Sequence, residues 1–256
     1  MLQKIIDHPR AGDNRLSSIT KILTGGAPVP AALLRRVLAA APGAEVLSAY
    51  GLTEGTALVT LTPVELGEDG EVEHGRTIGR VLDGITLAIA ADDGRLMVPG
   101  EVGEIVIRGP NVMRGYHRAP ADSAIALVDG WLHSGDIGYM DDEGYVFIVD
   151  RKKDVIIRGG QNIYPADIEE AIYQVAGVAE VGVVGISDDL LGEVPIAFVA
   201  LLPGAEVSSE TIYDRCAKEL ARYKIPAQIH FLTELPKGPT GKILRRELRT
   251  VAPPSA

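Results

Sequence analysis

Apolar positions follow three successive patterns along the chain. Ile19 to Leu23 forms a short apolar run that reads as a buried strand, closed by Thr24-Gly25-Gly26-Ala27-Pro28. Leu33, Leu34, Val37, Leu38 and Ala41 then recur at helical spacing from a start near Pro30, a residue suited to a first turn. Pro42-Gly43 interrupts the helix, and Glu45 to Ser48 reads as a second strand. A strand–helix–strand unit is expected to be parallel and right-handed. Its two strands end at the same edge, so the glycine loop at 25 to 28 and the loop opening at Tyr50 should be neighbours.

Between residues 78 and 150 the period shortens. Ile85–Ala90, Arg95–Val98, Val102–Arg108, Ile137–Met140 and Tyr145–Val149 read as short strands separated by Asp92-Asp93-Gly94 and Asp141-Asp142-Glu143-Gly144, which predicts an antiparallel meander or small β-barrel. From Asp154 the pattern becomes mixed: strands at Val155–Ile157, Val178–Ile186, Val194–Leu201 and near Ile229–Phe231, with helices at Pro165–Val175 and Ser209–Arg222. The expected fold class is therefore α/β plus α+β. Residues 1–152 form part of a large domain with the strand–helix–strand segment and the meander or barrel, and residues 153–256 form a small α+β domain.

Composition narrows the function classes. The 256 residues carry 25 Lys and Arg against 35 Asp and Glu, a net charge of −10 that argues against a nucleic-acid binder, which needs a basic face. The longest apolar run, Val194–Leu202, is too short to span a bilayer, and the amino terminus lacks a basic-then-apolar signal. A single cysteine, Cys216, rules out an internal disulfide and a cysteine-rich metal site. A soluble, cytoplasmic protein is expected. One segment runs against the acidic balance: Lys237–Arg249 holds five basic residues and one acid.

No Cys-x-x-Cys or His-Glu-x-x-His pattern is present, so zinc chemistry has no signature here. Pro236-Lys237-Gly238-Pro239-Thr240-Gly241-Lys242 resembles a P-loop but lacks its first glycine and its Ser or Thr after the lysine. Other segments could carry chemistry or be plain turns. Tyr50-Gly51-Leu52-Thr53-Glu54 places an aromatic face, a glycine, a hydroxyl and a carboxylate at a strand end, where they could stack on a base, bond phosphate and hold Mg²⁺. Ser134-Gly135-Asp136 could offer a carboxylate to ribose hydroxyls at the mouth of a strand. Asp150-Arg151-Lys152-Lys153-Asp154 is either a solvated linker or a hinge whose Arg151 touches nucleotide. Gly159-Gly160 permits a tight turn or a close ligand. Lys242 sits on a glycine-flanked loop ahead of Leu244 and Leu248, whose spacing suggests a short anchored helix.

Taken in order and spacing, these motifs, together with Gly159-Gly160-Gln161-Asn162-Ile163-Tyr164-Pro165, resemble the adenylate-forming acyl-CoA synthetase family of fatty-acid and coumarate CoA ligases and luciferase. The resemblance implies a two-step ligase using ATP, Mg²⁺ and CoA, with AMP as a product and a small carboxylic acid as substrate. It assigns Gly26 and Ala27 to the adenine, Tyr50 to stacking on it with Gly51 alongside, and Thr53 to phosphate. It further assigns Glu54 to Mg²⁺, Asp136 to the ribose hydroxyls and Arg151 to the nucleotide. Lys242 becomes the catalytic lysine, acting with Thr53 and Glu54. Lys153 becomes the hinge of a swinging small domain, and Gly159 and Gly160 the face shown to the pantetheine arm of CoA.

The resemblance covers the later half of that family. The Ser/Thr/Gly-rich loop for the outer phosphates, the aromatic or histidine segment beside the acyl site and most of the acyl pocket would lie upstream, and Met1–Pro9 resembles the interior of a family member. Leu47-Ser48-Ala49 stands where many relatives carry Gln-Gly. Three readings follow: an acyl-CoA ligase represented by its carboxyl-terminal portion, a non-catalytic AMP- or acyl-adenylate-binding module, or a self-associating interaction domain. Strands that lack neighbours would invite pairing with a second copy or with an upstream half.

Overall fold

The computed structural model describes residues 2–6, 8, 16–26, 29, 31–74, 77–238 and 241–251. The chain divides into two compact units, Met1–Ile148 and Val149–Ala256.

The first unit opens with a short helix α1 (Leu2–Ile6), then strand β1 (Lys21–Gly25), helix α2 (Ala31–Ala40) and strand β2 (Glu45–Tyr50). β1 and β2 pair in parallel from Lys21↔Glu45 to Gly25↔Ala49, as the alternation of strand and helix predicts. Leu34 and Val37 of α2 are buried with Val46 and Val64. β1 runs two residues further than expected, into the glycine motif. The reason lies at Gly25, where a Cβ would stand 2.3 Å from the Ala49 carbonyl oxygen. Only glycine lets the two strands stay paired to their ends. The turn itself falls to Gly26, at φ +77°.

The sheet continues through β3 (Thr60–Pro63) and β4 (Thr77–Val81), neither of which the apolar pattern predicted. Their inward positions are threonines: Thr60, Thr62 and Thr77 are buried, Thr77 Oγ1 donates to the Val146 carbonyl at 2.7 Å, and Thr60 Oγ1 donates to Ile78. Buried hydroxyls hydrogen-bonded to backbone hold a strand in place while erasing the hydrophobic alternation that would reveal it.

Next come β5 (Thr86–Ala90), β6 (Gly103–Arg108), helix α3 (Pro120–Ala126), the two-residue β7 (Leu127–Val128), β8 (Trp131–Met140) and β9 (Val146–Arg151). The strand order is β1-β2-β3-β4-β9-β8-β6-β5, with β7 beside β8. The antiparallel meander is thus one flank of a nine-stranded sheet that begins with the parallel pair. No pairing that closes it into a barrel is among those described. Arg95–Val98, expected as a strand, makes only the isolated bridge Ala90↔Leu96 and leaves Leu96 and Val98 exposed. β1 has one partner among the described strands, and its Leu23 is 54 % exposed, so it is an open edge.

The second unit holds β10 (Ile156–Arg158), β11 (Gln161–Ile163), helix α4 (Pro165–Tyr173), β12 (Val178–Asp188), β13 (Gly192–Leu201), helix α5 (Ser209–Glu219), β14 (Gln228–Phe231) and helix α6 (Arg245–Val251). The order is β11-β10-β13-β12, with β14 parallel to β13. Ile168, Ile172, Ile212 and Cys216 from α4 and α5 cover one face against Val181, Val183, Ala197 and Val199. Leu235 and Leu248 cover the other against Val184, Ile196 and Phe198. Burial on both faces explains the unbroken apolar run of β13. α5 stops at Glu219, short of Arg222, and a separate 3₁₀ turn takes Arg222–Lys224.

Cys216 is fully buried, and burial, reinforced by nearby Glu219, pushes its thiol up to about 11. Thiol labelling at mildly alkaline pH should therefore be at least about 100-fold slower for the native chain than for the urea-unfolded one. Equal rates would mean that the core between α5 and the sheet is open.

Candidate active site

In the first unit, two residues that are distant in sequence meet inside the protein. Tyr50, the last residue of β2, donates its hydroxyl to Asp136 Oδ2 at 2.6 Å, across a separation of 86 positions. Both are buried, at 8 % and 6 % exposure. The Tyr50 ring packs with Val59, Leu87, Ile105 and Val146, so besides any contact with a base its hydroxyl orients the Asp136 carboxylate.

Asp136 reaches this position through a bulge. Sequence reasoning placed Ser134-Gly135-Asp136 at the mouth of a strand, but the motif lies inside β8, where two ladder steps on β6 (Glu104 to Val106) face four on β8 (Ile137 to His133). The surplus residues bend the strand and re-aim the side chain. Gly135 supplies the bend at φ +71°, and Ser134 Oγ accepts from the Asp136 amide at 3.0 Å. The bulge is pinned by Glu104, which is buried and takes Gly135 N–H on one oxygen and His133 Nδ1 on the other, each at 3.0 Å. Sequence reasoning missed Glu104. The signal was present: an acid inside the apolar strand Gly103–Arg108, where a buried charge needs partners.

The Tyr50–Glu54 segment leaves β2 as a tight loop containing the 3₁₀ turn Thr53–Gly55. Gly51 answers to its own backbone: a Cβ there would lie 1.4 Å from the Ala57 carbonyl oxygen. Thr56 and Ala57 hold positive φ values of 50° and 72°, a strained conformation for residues with a Cβ, of the kind found clustered at functional loops. Thr53 is exposed and Glu54 half-buried. Gly26 is open on its Cβ side and follows Gly25, whose partner Ala49 adjoins Tyr50, so the two expected loops do share an edge. Ala27 lies outside the described residues.

No group of three or more His, Cys, Asp or Glu side chains suited to a metal occurs among the described residues.

In the second unit, Arg151, Lys152 and Lys153 are exposed. Asp150 is buried, accepting from Arg151 N at 2.7 Å and Ala166 N at 2.9 Å, and burial raises its carboxyl above the ordinary range. Gly159 and Gly160 form the two-residue connection of the β10–β11 hairpin, with φ +56° and +80°, the pair of positive values that a type I′ turn requires. Turn geometry alone accounts for both glycines. The exposed Lys242 is at the end of a small hairpin: Lys237 bridges Ile243, Gly238 N donates to the Lys242 carbonyl at 2.9 Å, and Leu244 N donates to Pro236 at 2.8 Å. Thr240 lies outside the described residues. Helix α6 follows at once and is anchored by Leu248, for which Gly182 of β12 leaves room.

Two family models match the chain, one described as AMP-binding enzyme over residues 1–117 and one as AMP-binding enzyme C-terminal domain over residues 167–242. The chain belongs to the AMP-binding enzymes. It is 42 % identical over 233 residues to the 2-succinylbenzoate–CoA ligase of Bacillus cytotoxicus, covering 91 % of this chain and 47 % of the relative. It is 40 % identical to the fatty acid–[acyl-carrier-protein] ligase ScoC of Streptomyces coeruleorubidus, covering 97 % of this chain and 48 % of that one. The o-succinylbenzoate CoA synthetase of Bacillus subtilis, solved with ATP and magnesium ion, superimposes with a TM-score of 0.81 at 36 % identity over 96 % of this chain and 49 % of its own. The same enzyme has been solved with its acyl-adenylate intermediate. This AMP-binding chain spans about half the length of the curated relatives it matches.

The proposed ribose acceptor can be tested directly. Asp136→Ala should raise the dissociation constant for AMP by roughly 10–100-fold, the loss of charged hydrogen bonds to two hydroxyls, while 2′,3′-dideoxy-AMP should bind both forms alike. An equal loss for both nucleotides would assign Asp136 to folding instead.

Proposed function

We propose that this chain supplies the nucleotide-binding floor and the lysine loop of an AMP-forming acyl-CoA ligase. The observation that carries the reading is the buried Tyr50–Asp136 hydrogen bond, set by a bulge that aims a carboxylate from the middle of a strand.

In the first step a carboxylate oxygen of the acid attacks the α-phosphorus of ATP, the bond to the β-phosphate oxygen breaks, and pyrophosphate leaves. In the second, the thiol of the acceptor loses its proton and attacks the acyl carbon, expelling AMP and leaving a thioester. Asp136 accepts the ribose hydroxyls, Tyr50 orients it, Gly26 and Gly51 shape the loops beside the base, and Thr53 donates to phosphate. Glu54 would hold Mg²⁺, which neutralises phosphate charge when bound. Lys242 stabilises the negative charge that develops as carboxylate and α-phosphate join. Arg151 contacts nucleotide, Lys153 is the pivot residue, and Gly159 and Gly160 give the acceptor thiol an approach unobstructed by side chains. CoA is the acceptor favoured by most of the relatives' names, and the open edge at β1 is where the upstream half of such an enzyme would pair.

ATP–pyrophosphate exchange across a panel of aryl, short-chain and long-chain carboxylic acids tests the reading, alongside AMP binding by calorimetry. Exchange dependent on one class of acid supports the ligase. AMP binding without exchange for any acid would replace it with a nucleotide-binding module.

A further inference from the structure

Glu54 sits on a turn that is fastened to the segment 111–116 by four hydrogen bonds. Met113 N donates to the Glu54 carbonyl at 2.8 Å, Asn111 Nδ2 to the Gly55 carbonyl at 2.9 Å, and Thr56 Oγ1 to the Asn111 carbonyl at 2.6 Å. The fourth runs from the Tyr116 hydroxyl to Glu54 Oε1 at 2.8 Å. The first three bonds end on backbone carbonyls and set the path of the loop. Of the four, only the Tyr116 bond acts on the carboxylate itself, so holding the loop and aiming the acid are separable tasks.

Tyr116 is in turn held in place from behind. Its amide donates to Ser123 Oγ at 2.8 Å, and that hydroxyl donates to the Ala119 carbonyl at 2.8 Å, tying the residue to the start of α3. Gly115 lets the chain pass close by: at φ +140°, a Cβ on it would lie 3.0 Å from Ser123 Oγ. The Tyr116 side chain is 39 % exposed, too open for its packing to explain this bracing. It lies in none of the motifs that carry the family resemblance.

The geometry points to Tyr116 as the positioning residue for the Glu54 carboxylate: its phenol occupies Oε1 and leaves Oε2 to a divalent cation carried by the nucleotide. The inference rests on the proposed role of Glu54. Mg²⁺ demands near-ideal octahedral oxygen geometry, so a carboxylate free to swing among rotamers is a poorer ligand than one held by a charge-assisted bond. Hydrogen-bond partners behind a metal ligand typically change metal affinity by about 10–100-fold.

The test compares two ligands by calorimetry: AMP without metal, and the α,β-methylene analogue of ATP with saturating Mg²⁺. Tyr116→Phe keeps the ring and the three loop bonds. It should weaken the Mg²⁺–nucleotide complex about tenfold or more and leave AMP within about twofold, and it should add nothing in a Glu54→Gln background. Equal weakening of both ligands would make Tyr116 a merely structural residue and overturn the inference, as would no change in either. If the unmodified chain binds neither ligand, the ligase reading fails and takes this inference with it. If it binds both and Tyr116→Phe is silent, only the inference falls.

Discussion

Replacing Lys242 with alanine should lower acid-dependent ATP–pyrophosphate exchange by about 10²–10³-fold, the usual cost of removing one preorganised charge donor from a developing oxyanion. Thioester formation from a supplied acyl-adenylate should be spared, because the proposed pivoting at Lys153 carries the lysine loop away before the thiol attacks. The substitution isolates chemistry from folding. Lys242 is exposed, and the described bonds that shape its hairpin run through its backbone carbonyl and through Gly238, Pro236 and Leu244, not through its side chain. Thermal unfolding of the variant should match that of the parent chain. An exchange rate within a few-fold of the parent's would remove Lys242 from the mechanism while leaving the nucleotide site untouched.

How far the sequence was legible depends on what each residue was doing. The strand–helix–strand unit could be read because Leu34, Val37 and Val46 are buried hydrophobics at the spacing their elements require. β3 and β4 could not, because their buried side chains are threonines bonded to neighbouring backbone. β11 was also missed: Gln161 and Asn162 are exposed polar residues, and only the I′ turn at Gly159-Gly160 betrays a hairpin. At the site, the family motifs marked Tyr50 and Asp136 as candidates, yet neither motif says that the two share a buried hydrogen bond. That fact depends on the bulge in β8 and on Glu104 beneath it, a relation between strands whose paired residues are 25 to 35 positions apart. Tyr116 escaped notice for the same reason, since its partner Glu54 is 62 positions away. Motifs name the residues that touch ligand, whereas the residues that aim them are set by register and loop path.

Arg245→Met should destabilise the second unit by about 3 kcal/mol in urea unfolding. The guanidinium donates to both oxygens of Glu169 at 2.8 and 2.9 Å and lies 3.6 Å from Asp154. Glu169 also takes the Val183 amide at 2.9 Å, which fixes the carboxylate against β12 whether or not arginine is present. Removing the cation therefore leaves an acid that cannot turn to water. The estimate sits at the low end of the range for broken buried pairs because a quarter of the Arg245 side chain remains exposed. Arg249→Met is the control: it is 38 % exposed and makes one 3.1 Å contact to Asp154, so it should cost about 1 kcal/mol or less. The pH dependence separates charge from packing. Burial already raises Glu169 above the ordinary carboxylate range, against the pull of Arg245. Without that pull the folded-state value rises further above the unfolded one. Stability tied to a raised value is present below the unfolded value and lost as pH climbs through the folded one. The deficit of the variant should therefore be larger at neutral pH than in acid, and shrink as pH falls toward about 4. Glu169→Gln in the Arg245→Met background should recover much of it at neutral pH. A deficit independent of pH would show that the loss comes from packing of α6 and not from the charge of Glu169.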